Sequence, residues 1–233
     1  MSAGRTARER VRAELTREIV ETARRHLGTE GAAGLSLRAV AREMGMVSSA
    51  IYRYFPSRDD LLTALIVDGY NALGEAVERA DAAAPADDFG GRWLAVCRAV
   101  RTWALANPHE YALLYGSPVP GYQAPQDTVS PAVRDTVVYA RIVTEAHAAG
   151  ALDPAGPVPP MPCELAADAA RGRRAVAMDV PDDVVVRALT AWTGLFGTVG
   201  FELFGQFDTV VVERGAYFDH SMTLLGRLVG FRF

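Results

Sequence analysis

The sequence predicts an all-α protein in two parts, a small basic N-terminal part followed by a larger acidic one. Three observations carry this prediction. Apolar residues recur at three- and four-residue spacing through most of the chain. β-branched runs are confined to two short stretches, 184–186 and 210–212, each beside a long helical pattern. The charge divides sharply along the chain. Residues 1–58 hold 11 Arg against 6 acidic residues, a net +5, and residues 59–233 hold 13 Arg against 22, a net −9.

The first helix is predicted over residues 8–27, where Val11, Leu15, Ile19, Ala23 and Leu27 recur every four residues, with Gly28 as its C-cap. After a loop, TEGAAGL, Ser36 is the predicted N-cap of a short helix that runs to Met44 and stops at Gly45. Ser48 is the predicted cap of the next helix, which runs to about Phe55 and is closed by Pro56. Ser57, with Asp60 three residues on, is placed to cap a long helix over 58–82 whose apolar stripe includes Leu61, Leu65 and Leu73. Beyond a break, AAAPADDFGG, helical patterns cover 92–106, 108–115, 131–149, 164–177, 181–207 and 213–228. Two Pro/Gly loops interrupt them. The second, DPAGPVPPMP at 153–162, is either a surface excursion or a lid that gates a pocket.

Composition excludes several classes. At 233 residues, half of them hydrophobic and 22% charged, the chain has the makings of an ordinary packed core. No uninterrupted apolar run approaches the length of a membrane span, and the basic N-terminus lacks the apolar segment of a secretory signal. Cys97 and Cys163 are far apart and outside any CxxC spacing, which argues for two thiols in a reducing cytoplasm and against a disulfide framework or a metal site. No cofactor is implied. All 24 basic residues are Arg, whose planar fork of donors suits phosphate and guanine edges.

Two short helices joined at Gly45 form a helix-turn-helix, a unit whose second helix enters the major groove of DNA. Leu37, Val40, Ala41 and Met44 are expected to face inward from the first helix, and Val47, Ile51 and Phe55 from the second. The second helix then presents Ser48, Ser49, Tyr52, Arg53 and Tyr54: small and polar where bases would be approached, aromatic and basic further along. The leader at residues 1–9, with Arg5 and Arg8, is expected to be a flexible arm that either tracks phosphates or is a solvated tail.

The stretch LSLRAVAREMGMVSSAIYRYFPSRDDLL resembles the DNA-binding signature of the TetR family of bacterial transcriptional regulators, with Met46 in place of the usual Val and Arg58 in place of the usual Lys. The resemblance spans about residues 10–70. It implies a homodimer with a three-helix DNA-binding head, residues 1–58, and a larger helical body, 59–233, that binds ligand and dimerises. It assigns Ser36 to a phosphate, Arg38 to a base or the adjacent backbone, Ser48, Ser49 and Tyr52 to the major groove, and Tyr54 and Arg58 to phosphate clamps. Two further stretches, RTWALANPHEYALLYGSPVPGY and AWTGLFGTVGFELFGQF, resemble a C-terminal domain of actinobacterial members of the family.

In the body, Gly194, Gly197 and Gly200 at three-residue spacing suggest the close approach of a helix or a ligand. The last two helical patterns are apolar on broad faces. Leu195, Val199, Leu203, Phe218, Met222 and Leu225 are the expected dimer contacts, the other reading being an intrachain core. A pocket for an apolar or aromatic effector is expected among Trp93, Cys97, Trp103, Tyr111 and Tyr115 in the earlier helices, with Tyr139, His147, Trp192 and Phe196 in the later ones. No nucleophile elbow, phosphate loop or metal-ligand cluster occurs, which argues against an enzyme. The sequence therefore points to a ligand-responsive repressor on a pseudo-palindromic operator. An architectural DNA-binding protein and, more remotely, a small-molecule enzyme are the alternatives.

Overall fold

A computed structural model of the chain describes residues 3–153 and 158–233, with side chains from Thr6 onward in the first helix. Among the described residues the fold is all-α and contains no strand. The expectations for Arg5 and for residues 154–157 of the Pro-rich loop lie outside what is described.

The helices are α1 (Ala3–Gly34), α2 (Leu37–Glu43), α3 (Ser48–Ile51), α4 (Arg58–Ala83), α5 (Phe89–Ala106), α6 (Pro108–Tyr115), α7 (Val129–Ala132), α8 (Arg134–Ala148), α9 (Ala166–Ala175), α10 (Asp182–Leu203) and α11 (Arg214–Val229). They form two compact units. One comprises Met1–Tyr70 with Asn107–Val129, the other Asn71–Ala106 with Ser130–Phe233. The sequence boundary at residue 58 differs from this grouping for a packing reason. Leu61, Leu62 and Leu65, from the first half of α4, complete the core of the N-terminal unit. In the same unit α6 lies against α1, tied by Arg24 Nε donating to Glu110 Oε1 at 2.8 Å.

In the N-terminal unit, Ile19, Val20 and Ala23 of α1 pack against Leu37, Val40, Ala41, Ile51 and Phe55. The backbone is helical from Ala3, where a flexible arm was expected, and α1 runs past Gly28 to a break at Gly31, which has φ 67°. The capping of α4 follows the sequence. Ser57 N donates to Asp60 Oδ2 at 2.9 Å while Asp60 N donates to Ser57 Oγ at 3.1 Å, so each residue satisfies a free end of the other.

In the second unit α10 is central, packing on α5, α9 and α11. By length and composition α10 could cross a membrane, yet its Val184, Ala188, Ala191 and Leu195 face are core positions of this unit. Trp93 of α5 is fully buried, and its Nε1–H donates to the Met222 carbonyl of α11 at 2.7 Å. Gly194 permits the closeness of α10 and α11, since a Cβ there would lie 2.7 Å from Leu225 Cδ1. Gly197 meets nothing within 4 Å, so its spacing reflects an open face rather than a contact within the chain.

Leu195, Val199, Phe218 and Met222, expected at a dimer interface, are 2% exposed or less. They face the intrachain core, where a partner cannot reach them. Leu203 and Leu225 are half-buried. The exposed apolar positions of the same two helices are Leu189, Phe201, Tyr217 and Leu224.

Candidate nucleic-acid interface

The turn between α2 and α3 is built on Gly45, whose φ of 66° lies in the left-handed region that glycine adopts without strain. The turn is closed by Gly45 N donating to Arg42 O at 3.1 Å and Met46 N to Ala41 O at 2.8 Å. Val40, Ala41 and Ile51, all fully buried, fix the two helices against α1 and α4. Their polar faces are thereby left outward.

Three features of this region differ from the sequence expectation. Val47, expected in the core, is 71% exposed, because it is the extended N-cap residue of α3, with φ −65° and ψ 135°. Ser48 is consequently the first helical residue and not the cap. The helix itself ends at Ile51, and Tyr54 N and Phe55 N both donate to the Ile51 carbonyl to close the turn. Phe55 precedes Pro56, a position that disfavours helical backbone.

Four of the seven predicted DNA-facing residues are exposed in the structure. Arg38, Ser48, Ser49 and Tyr52 are exposed, as are Arg42 and Arg53. Ser36 is the N-cap of α2, and its hydroxyl makes no capping hydrogen bond. Tyr54 is half-buried beneath Arg12, whose guanidinium lies 5.6 Å from the ring centre and donates to the Arg53 carbonyl at 3.1 Å. Arg58 is engaged internally. Its guanidinium donates to the carbonyls of Ala32, Ala33 and Leu35, at 2.6, 3.3 and 3.2 Å. That ties the start of α4 to the end of α1, so the expected phosphate clamp is, as placed, a structural brace. A second brace joins α1 to α2: Arg25 and His26 both hydrogen-bond Glu43 and hold its carboxyl below the usual range.

Sequence reasoning missed Val47 and Arg42 as surface candidates, while Arg53 was expected on the outward face of the second helix. The signal for Val47 was its place directly before a helix start, where extended backbone turns a side chain away from the helix core. Arg42 was legible as a cation that no apolar period claims.

The predicted ligand residues are not brought together. Trp93 and Cys97 are fully buried in the core of the second unit, where burial pushes the Cys97 thiol up. Tyr111 and Tyr115 belong to the N-terminal unit and pack on each other, with ring centres 5.1 Å apart. Trp103 and Phe196 are buried, and His147 is exposed at the end of α8. Tyr139 and Trp192 alone of the set line an apolar cavity of the second unit, about 410 Å³ between α8, α9 and α10. The signal overlooked was in α9, where Ala169 and Gly172, three residues apart, leave room on the face toward α10.

A helix-turn-helix held by α1 and α4, followed by an all-helical body, is the architecture of a bacterial transcriptional regulator. Residues 19–65 match the family model described as bacterial regulatory proteins, tetR family, and residues 93–225 match that of the tetracyclin repressor-like C-terminal domain. The chain belongs to the tetR family. It is 43% identical over 223 residues to the HTH-type transcriptional regulator Rv1816 of Mycobacterium tuberculosis, covering 95% of this chain and 93% of that one. It is 35% identical over 97 residues to the HTH-type transcriptional repressor DrrR1 of Streptomyces coeruleorubidus, covering 41% of this chain and 33% of that one. The crystal structure of SCO4313 superposes with a TM-score of 0.77 at 33% identity, covering 93% of this chain and 97% of that one. The chain is a transcriptional regulator by family and not an enzyme.

Proposed function

We propose that the protein is a homodimeric repressor of the cytoplasm that binds a pseudo-palindromic operator and is released by a small-molecule effector. The observation that carries this is the α2–α3 surface. There Arg38, Arg42 and Arg53 are exposed and form no ion pair among the described residues, beside Ser48, Ser49 and Tyr52. Ser48 and Ser49 are small enough to let α3 approach base edges, and the arginines supply phosphate or guanine donors. Val47, at the tip, is an apolar contact for a thymine methyl group. The Ser36 hydroxyl is available to a phosphate, and Tyr54 contributes from its half-buried place beneath Arg12.

The dimer reading rests on the exposed faces of α10 and α11. Leu189, Thr193, Gly197 and Phe201 recur every four residues on one, and Tyr217, His220 and Leu224 at three and four on the other. Gly197 leaves room for a partner helix to approach. Two heads related by a two-fold axis read two half-sites in successive major grooves. An effector that releases DNA binds the free protein better than the DNA-bound one, by linkage. Repression is supported by the name of the related DrrR1.

The test is capture of genomic fragments at near-physiological salt, followed by fluorescence anisotropy on the enriched site. A single palindrome is expected, with Tyr52→Ala weakening it about tenfold or more while leaving the dimer intact. Diffuse capture with no motif refutes operator recognition.

A further inference from the structure

α2 and α3 have seven and four residues, too few to be stable as helices by themselves, so their order is borrowed from what packs on them. α1 and α4 supply part of that packing. Another part comes from Asn107–Val129, which follows α5 in sequence yet folds with the N-terminal unit. Leu113 of α6, with Val119 and Tyr122 of the loop after it, packs on the same core as Ile51 and Leu62. The head helices carry seats for α6. Gly28 lies within α1 and Gly69 within α4, where glycine weakens a helix. A Cβ at Gly28 would come within 3.1 Å of the His109 ring, and one at Gly69 within 3.3 Å of Leu114 Cδ1. Each glycine admits a side chain of α6 more closely than a larger residue would, and Glu110 of the same helix is paired with Arg24 of α1.

Beyond α6 the chain turns on Val119-Pro120-Gly121-Tyr122. Proline and then glycine, the latter with φ 77°, hold the two central positions, the signature of a type II turn, and Tyr122 N donates to the Val119 carbonyl at 3.1 Å. The turn sets Val119 and Tyr122 side by side, and both pack on the head core. The Tyr122 hydroxyl lies 2.9 Å from Thr63 Oγ1. Thr63 has one hydroxyl hydrogen and gives it to the Asp59 carbonyl at 2.9 Å, so Tyr122 Oη is the donor and Thr63 the acceptor. The start of α4 is therefore held twice, to the end of α1 by Arg58 and to the turn after α6 by Thr63. Only residues 52–57 separate α3 from α4, so what fixes the start of α4 also fixes α3.

We propose that Tyr122 is a positioning residue for operator recognition: the turn after α6 clamps the head, and Tyr122, through Thr63, sets the angle at which α4 presents α3. The geometry stands by itself, and its consequence for DNA rests on the operator-binding reading above. A helix that reads base edges is sensitive to its angle in the groove, whereas phosphate contacts made by long exposed arginines adapt to it. Loss of the clamp therefore costs selectivity more than it costs the general hold on DNA.

The test is made on the full chain with Tyr122→Phe, which keeps the ring in the core and removes only the donor, with Thr63→Val, which removes the acceptor, and with the two combined. Amide hydrogen exchange of the free protein is the first measurement. Tyr122→Phe is expected to speed exchange over residues 37–55 by about three- to tenfold, the worth of one hydrogen bond, and to leave the amides of α10 unchanged. Fluorescence anisotropy is the second. Operator affinity is expected to fall by about the same factor and affinity for unrelated DNA by less, so that the ratio of the two drops. In the combined variant the loss is no larger than in the worse single one, because the two side chains serve one contact.

Unchanged exchange over residues 37–55 in Tyr122→Phe overturns the clamp. Faster exchange that extends to α10 marks general destabilisation and overturns it as well. Equal losses on operator and unrelated DNA make Tyr122 a brace of the fold and overturn its role in recognition, as do losses that simply add in the combined variant. The exchange measurement needs no DNA, which separates the two claims. A parent protein that selects no palindrome refutes the operator reading, while faster exchange confined to residues 37–55 still upholds the clamp.

Discussion

The arginines of the helix-turn-helix and those of the second unit are the same residue put to opposite uses. In the second unit most of them are held by carboxylates, with Arg174 and Arg227 the exceptions among the described residues. Arg92 bridges Asp81 at 2.7 Å and Glu145 at 2.6 Å, Arg101 takes both oxygens of Glu202, and Arg134 both oxygens of Glu78. On α2 and the turn after α3, Arg38, Arg42 and Arg53 are exposed without an ion pair among the described residues. The N-terminal unit repeats the division internally, since Arg24 and Arg25 are both paired on α1. A cation already matched within the chain braces helices; an unmatched, exposed one is open to an external anion. The net charge of −4 conceals this, because the acids of the second unit are largely partners of its own arginines.

The comparison predicts its largest effect at Arg92. The Asp81 side chain is 3% exposed; burial alone would raise its carboxyl, and hydrogen bonds from Arg92 and Arg141 hold it below the usual range instead. Arg92→Ala leaves that carboxylate with Arg141 alone, at 2.6 Å, and a loss of about 3–5 kcal/mol is expected in urea denaturation. A loss under about 1 kcal/mol would place this pair with ordinary surface bridges and erase the distinction between the two regions.

Asp135 is the one buried acid of the second unit that no arginine matches among the described residues, and its carboxyl is raised by burial from 3.8 to about 6. The sign follows from linkage. The folded state holds the proton more tightly, so this group's contribution to stability is complete below about pH 4 and is lost as pH rises through 6. Asp135→Asn removes the penalty above pH 6. It is expected to stabilise the protein at pH 7.5 by up to about 3 kcal/mol, the gain shrinking steadily toward pH 4. A gain independent of pH would show that packing, and not ionisation, separates the two side chains.

How much of this was legible in the sequence depended on whether a helix has one apolar face or two. The head helices have one, and Val40, Ala41, Ile51 and the Ser57–Asp60 cap fall where the period and the capping pattern put them. α10 and α11 are apolar on both sides, so periodicity gives no phase. Leu195 and Met222 went inward while Leu189 and Leu224 went outward, with the same chemistry on each face. The cavity was hidden for a related reason. Aromatic residues mark core and pocket alike, and the space was made by what is missing from α9, the side chains absent at Ala169 and Gly172. Arg58 shows a third limit. A surface cation looks the same in sequence whether its donors meet phosphate or, as here, the carbonyls of Ala32, Ala33 and Leu35.

The smallest predicted change in stability falls on the side of the comparison nearest to function. Arg53 is exposed, and among the described residues its internal ties belong to the backbone: its N–H donates to the Ala50 carbonyl and its carbonyl accepts from Arg12. Arg53→Ala should therefore leave the urea midpoint within the equivalent of about 0.5 kcal/mol. The same substitution should weaken operator binding, and by a similar factor on unrelated DNA, because a phosphate contact carries little sequence information. The slope of log affinity against log salt should fall by about one for each such contact removed from a half-site. Tyr52→Ala is the counterpart, expected to weaken the operator more than unrelated DNA. If Arg53→Ala instead lowered affinity for the operator alone, with the salt slope unchanged, Arg53 would be a base-reading residue. The unpaired arginines of the head would then serve selectivity, and the electrostatic hold on DNA would rest with Arg38 and Arg42.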